Sequence, residues 1–122
     1  MAHDAQKRKF IRAKATVLVA HNKFALPGLN PAAVQESMSL DVSAGGVCFQ
    51  SKQGYAVGDI LKVTLFLPQK EKGSYPVPLL GKVVRVSDPI EGKRDLGVAF
   101  VGINQAQQDD LNQFIIGQGT RL

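Results

Sequence analysis

Apolar residues recur at every second position in short runs, and the runs are cut by glycine, proline and asparagine. The clearest is Leu61, Val63, Leu65 and Leu67, which place one apolar face on a strand entered through Gly58-Asp59. Ala15–His21, Val34–Val42, Val47–Gln50, Val77–Val86 and Asp95–Val101 are read as further strands. Pro27-Gly28, Asn30-Pro31, Gly45-Gly46, residues 68–76, Asp88-Pro89 and Gly92 supply the turns. In Val34–Val42, Val34, Met38, Leu40 and Val42 take one face and Ser37, Ser39 and Asp41 the other, with Glu36 marking a solvated end. The period changes only in the tail, where Leu111, Phe114 and Ile115 follow helical spacing. Asn104 and Gln107 form a capping-box pair, Asp109 and Asp110 lie in the helix's first half, and Gly117 offers a stop. Many short strands need their edges covered, and closure does this. The expected fold is all-β: a six-stranded antiparallel barrel of the split type with a C-terminal α-helix. Residues 1–13 form an arm, 14–103 the barrel and 104–117 the helix.

The chain has 122 residues, 44% of them apolar, enough for one domain with one core. Its one cysteine, Cys48, lies in the run Val47-Cys48-Phe49 and reads as a small buried hydrophobe; one thiol cannot form an internal bridge. The polar N-terminus lacks an apolar signal core, and no run approaches the ~18 residues of a membrane span. The expectation is a cytoplasmic protein with no membrane insertion.

Catalytic patterns are missing. His3 and His21 have no Cys or carboxylate at metal-ligand spacing, so no metal site and no cofactor are expected. Asp109 and Asp110 are adjacent on a helix and do not face each other as an acid–base pair. Ser43 has no evident base, and no phosphate loop is present. The chain reads as a binding protein rather than an enzyme.

The charge is informative by its location. The formal net charge is +5, and five of the first fourteen residues are basic: Lys7, Arg8, Lys9, Arg12 and Lys14. Such an arm favours anionic partners. Asp41-Val42-Ser43-Ala44-Gly45-Gly46 begins 29 residues after Arg12. Asp41 and Ser43 leave one face of the strand, opposite Leu40 and Val42, and are expected on the outside of the barrel.

Arg8-x-x-x-Arg12 followed by Asp41-x-Ser43-x-x-Gly46 resembles the PilZ domain family, marked by RxxxR and then [DN]xSxxG. Leu80–Arg85 and Leu96–Phe100 look like that family's later strands, so the resemblance runs from about residue 7 to 116. It implies a receptor for cyclic di-GMP, with Arg8, Arg12, Asp41, Ser43 and Gly46 as ligand-binding residues. Lys7, Gly45 and Arg85 are secondary candidates; some relatives carry a guanine-stacking aromatic near Arg85, where a guanidinium plane can stack instead. Arginine suits a ligand with two phosphodiesters and two guanines, because it binds phosphate in bidentate fashion and pairs with guanine O6 and N7. Asp41 can accept guanine N–H bonds. The arm closing over ligand would alter the surface seen by an unidentified protein partner in motility, biofilm or exopolysaccharide pathways. Two other readings stand beside this one. The first is an interaction module of pilus or flagellar machinery that binds no nucleotide. The second is a single-stranded nucleic-acid-binding barrel, which the absence of Trp and the core-like positions of most Phe residues weigh against.

Overall fold

The computed structural model describes residues 12–13, 16–24, 33–69 and 73–119. The described residues include seven strands: β1 (Arg12–Ala13), β2 (Leu18–Lys23), β3 (Gln35–Ser43), β4 (Gly46–Ser51), β5 (Ile60–Gln69), β6 (Gly73–Val86) and β7 (Arg94–Val101). A helix, α1 (Gln105–Gly119), follows β7. Every pairing is antiparallel. The order β3-β2-β5-β6-β7-β4 returns to β3 through the β3–β4 pair, so six strands close a barrel. The two-residue β1 extends the line of β2 along β3: Ala13 opposes Val42 and Leu18 opposes Met38.

Alternating residues fill the barrel. Val19, Val42, Val47, Phe49, Leu61, Val63, Leu65, Leu96 and Val98 are buried in one cluster, and Leu111 of α1 joins it. The expected face of β3 fails along its first half. Val34, Met38 and Leu40 are exposed and Ser39 is buried. A bulge is the reason: Ser39 opposes Phe49 but Asp41 opposes Cys48, so Leu40 is an extra residue. An inserted residue inverts the in–out alternation on one side of it. Ser39 is satisfied inside, its Oγ accepting from Val17 N–H at 2.8 Å. A second bulge lies in β6, where Val83 opposes Val98 and Arg85 opposes Gly97, leaving exposed Val84 extra.

The loop expected over residues 68–76 is shorter than that. Pro68 pairs with Ser74 and Phe66 with Pro76, so the β5–β6 ladder runs to Gln69 and Gly73. Pro76 and Pro78 belong to a stretch of β6 that no described strand pairs on its other edge, the place where proline is tolerated. That edge receives the helix. Gln107 N–H donates to Asn104 Oδ1 at 2.8 Å, Asn104 N–H donates to Gln107 Oε1 at 3.1 Å, and Gln107 Nε2 donates to Pro78 O at 2.7 Å. The capping box is therefore present and also ties α1 to the barrel. The helix runs past Gly117, the expected stop, to Gly119. Among the described residues no helix is long and apolar enough to cross a membrane.

His21 is enclosed. Its Nδ1 meets Tyr55 OH and its Nε2 meets Ser37 Oγ, both at 2.9 Å, and its ring lies 4.5 Å from that of Phe49. Burial lowers its pKa to about 4, so the imidazole is neutral at pH 7.

Candidate functional site

The two sequence motifs meet through strand pairing. Arg12 opposes Ser43 and Ala13 opposes Val42, so β1 brings the second arginine of RxxxR directly against the Asp41–Gly46 segment. Lys7 and Arg8 lie outside the described residues.

The hairpin between β3 and β4 is built around Ser43. Gly45 N–H and Gly46 N–H both donate to Ser43 Oγ at 3.1 Å, and Ser43 Oγ–H donates to Gly46 O at 3.4 Å. Ser43 is only 3% exposed. Its expected place on the outside is thus corrected: the chain turns at Ala44-Gly45, and the hydroxyl folds into that turn to satisfy two backbone donors. Gly45 continues the pattern, its carbonyl accepting from Phe100 N–H at 2.8 Å. Gly46 faces the next strand closely. A Cβ there would lie 2.4 Å from Val98 O, so only glycine lets β4 and β7 come together at this point.

Asp41 does lie on the outer wall. It opposes Cys48, whose neighbours Val47 and Phe49 both point into the core. Cys48 opposes Gly97, and Gly97 opposes Arg85. Asp41, Cys48, Gly97 and Arg85 therefore form one row across β3, β4, β7 and β6, spanning roughly 14 Å at the usual strand spacing. Arg85 lies flat along this row. Its Nη2–H donates to Cys48 Sγ at 3.3 Å, and a Cβ at Gly97 would meet Arg85 Cβ at 3.3 Å and Nε at 3.5 Å. Gly97 is thus the floor beneath the guanidinium. Cys48 is buried, as expected, but against this outer row rather than in the central cluster. The roles of Cys48 and Gly97 escaped the sequence reading. The signal that locates them is the β6 bulge, which a pattern of alternating residues does not display.

The structure thus holds Asp41, Ser43, Gly45 and Gly46 in one hairpin, pairs Arg12 of β1 alongside it, and sets Arg85 further along the same wall. This surface has the means to bind an anion with hydrogen-bonding edges: a guanidinium supported on a flat floor, a carboxylate, and an arginine-bearing strand beside them. Among the described residues no group of three His, Cys, Asp or Glu side chains could hold a metal ion.

The described residues form a closed antiparallel barrel with an arginine-bearing strand paired against its ST-turn hairpin and a capped C-terminal helix. The PilZ domain model matches residues 6–117, and the chain belongs to the PilZ domain family. No curated protein matches it in sequence. Solved structures share the fold. The Bacillus subtilis inhibitor of motility, MotI/DgrA, superimposes with a TM-score of 0.78 at 23% identity, over 95% of this chain and 52% of that one. This chain therefore spans about half of that protein. The PilZ domain of Escherichia coli YcgR, solved with c-di-GMP, gives 0.69 at 15% identity over 95% and 94%. The PilZ domain of CeSA from a cellulose-synthesizing bacterium gives 0.60 at 14% identity over 89% and 98%.

Proposed function

We propose that this chain binds cyclic di-GMP on the outer wall formed by β1, β3, β4 and β7, and that binding changes the surface it offers to a protein partner. The observation that supports the reading is the Arg12–Ser43 pairing, which brings residues of two motifs far apart in sequence onto neighbouring strands. Membership of a family in which YcgR was solved with c-di-GMP supports the choice of ligand.

In this reading Arg8 and Arg12 take the phosphodiesters and guanine edges, and Lys7 adds attraction. Asp41 accepts from guanine N–H groups. Ser43, Gly45 and Gly46 act mainly by shaping the hairpin that presents Asp41, because the hydroxyl and amides of that turn bond one another. Arg85 offers a planar cation at the far end of the row. Ligand neutralises the arm's charge and fixes it against the barrel, a segmental switch of a familiar kind. The output passes to another protein in motility, biofilm or exopolysaccharide pathways, and the chain works as a cytoplasmic adaptor rather than a catalyst.

Calorimetry tests the site. Micromolar binding, about −8 kcal/mol, is expected for the unaltered chain, and Arg8→Ala, Arg12→Ala or Asp41→Ala each lose about 2–5 kcal/mol if the contact is buried. Undiminished affinity in all three ends the assignment. Titration with salt separates this ligand from an oligonucleotide. Two phosphates give a shallow dependence, whereas six to ten phosphate contacts lose roughly 10³–10⁵ in affinity between 50 and 200 mM. The module that binds no nucleotide gives no heat and no melting shift.

A further inference from the structure

The barrel is not sealed along the whole of β3. Pairing of β3 with β4 begins at Ser39–Phe49 and continues toward Ser43, and below it the two strands diverge. The gap between them is a cavity of about 590 Å³, lined by β3 from Gln35 to Leu40, by Gln50–Gln53 and by Lys93.

The direction of the backbone groups follows from two hydrogen bonds. Ser39 N–H donates to Val17 O at 2.9 Å, so Ser39 faces β2, and by alternation Ser37 and Gln35 do as well. The N–H and C=O of Glu36 and the N–H of Met38 then face the gap. On the other wall, Phe100 N–H donates to Gly45 O at 2.8 Å, so odd-numbered residues of β4 face β7 and the carbonyl of Gln50 faces the gap. No described strand pairs with these groups. The side chains around them are of two kinds. Met38 and Leu40 are exposed apolar residues beside the edge. Lys52 and Lys93 are exposed cations opposed by one carboxylate, Glu36.

We propose that this gap is a β-augmentation site: an extended segment of a protein partner, alternating apolar and acidic residues, inserts between β3 and β4. Its backbone completes the edge at Glu36 and Met38, its apolar side chains cover Met38 and Leu40, and its carboxylates meet Lys52 and Lys93. Two divergent strand edges accept a main chain better than a compact ligand, and the surplus of lysine selects an acidic one. The site is independent of the cyclic di-GMP reading. It shares the β3–β4 hairpin with it, at the opposite end from Ser43.

The test uses the full chain and a defined probe, an N-acetylated, C-amidated hexapeptide alternating glutamate and valine. Two controls accompany it: the lysine–valine counterpart, and the same acidic peptide N-methylated at alternate residues. Amide hydrogen exchange followed by NMR is the readout. In the free chain the Glu36 and Met38 amides exchange quickly while Ser37 and Ser39 are protected. Saturating acidic peptide slows Glu36 and Met38 by about tenfold or more, and the controls do not. A Lys52→Glu, Lys93→Glu double variant weakens binding by about tenfold. Glu36→Pro removes the gap-facing N–H but none donated to β2, and it also weakens binding, although Glu36→Gln, which removes only the charge, strengthens it. Should Glu36→Pro not fold, the lysine variant and the methylated peptide carry the decision. Equal binding of the methylated peptide overturns the proposal. So does protection of Glu36 and Met38 in the free chain, which would mean that a segment of this protein already fills the gap.

Discussion

Replacing Gly46 with alanine separates the two duties a motif glycine can have, touching ligand or spacing strands. The added Cβ would stand 2.4 Å from the carbonyl oxygen of Val98. Carbon and carbonyl oxygen rest at about 3.3–3.6 Å, so β4 and β7 must part by roughly 1 Å. The obstacle is backbone held in the Gly46–Ala99 and Val47–Val98 pairs, so no side chain can rotate out of the way. Overpacking of this type costs about 1–3 kcal/mol. Alanine also restricts the unfolded chain, which offsets about 0.4–1 kcal/mol. The net loss is about 1–2 kcal/mol, and a domain of this size then melts roughly 4–10 °C lower. Urea unfolding and a thermal melt measure it, with Gly54→Ala as control, since a Cβ at Gly54 meets nothing within 4 Å. If Gly46→Ala melts with the unaltered protein yet loses cyclic di-GMP affinity, Gly46 is a ligand contact and the spacing argument is wrong.

Ser43→Ala leaves the Gly45 and Gly46 amides without their shared acceptor and is expected to cost about 1–3 kcal/mol by urea unfolding, even without ligand. Gln107→Ala removes the side-chain half of the capping box and the bond to Pro78, while the backbone N–H of residue 107 still donates to Asn104; about 1–2 kcal/mol is expected, with Leu111 and Ile115 resonances moving as α1 loosens. His21 gives a pH signature. Its folded pKa, about 4, lies below the unfolded value of 6.5, so the unfolded chain binds the proton first. The contribution is complete above pH 6.5 and is lost as pH falls toward 4, up to about 3 kcal/mol at 1.36 kcal/mol per pKa step. Urea midpoints across that window should fall in the unaltered chain, and a His21→Phe variant should flatten that component of the slope. Cyclic di-GMP at 100 times its dissociation constant is expected to add about 2.7 kcal/mol to stability, read as a rise in melting temperature.

Legibility in the sequence followed how local each determinant is. The Leu61–Leu67 alternation needs no partner to be read, and that strand is where it was expected, as is the Asn104–Gln107 box. The start of β3 misled for the opposite reason. Met38 and Leu40 look like core residues, but the Leu40 bulge is set by pairing with β4 and leaves both exposed. Tertiary pairing also decided the ends. Residues 68–69 and 73–76 carry prolines and still form strand, because the β5–β6 ladder holds them on an edge that tolerates the missing N–H. At the site, the motif residues could be named from spacing, whereas the row through Cys48, Gly97 and Arg85 depends on a second bulge at Val84.

Those two bulges bear directly on how the wall is made. Each adds one residue to a strand facing outward, Leu40 before Asp41 and Val84 before Arg85. After each addition the next residue falls opposite the central β4–β7 pair, Asp41 on Cys48 and Arg85 on Gly97. In a regular ladder that kept the added residues, Leu40 would oppose Cys48 and Val84 would oppose Gly97, and alternation would turn Asp41 and Arg85 toward the core. Charged groups there would be desolvated without a partner, at a cost well above that of an irregular ladder. The bulges are thus what allows one barrel to keep Val42 and Val83 inside while setting an acid and a guanidinium at the two ends of the same outer row. It follows that deleting Leu40 or Val84 leaves Ser39–Phe49 followed directly by Asp41–Cys48, or Val83–Val98 by Arg85–Gly97, so the outer row should survive either deletion. Cross-strand NMR contacts in the two deletion variants check this, and a shifted β3–β4 or β6–β7 register would refute it.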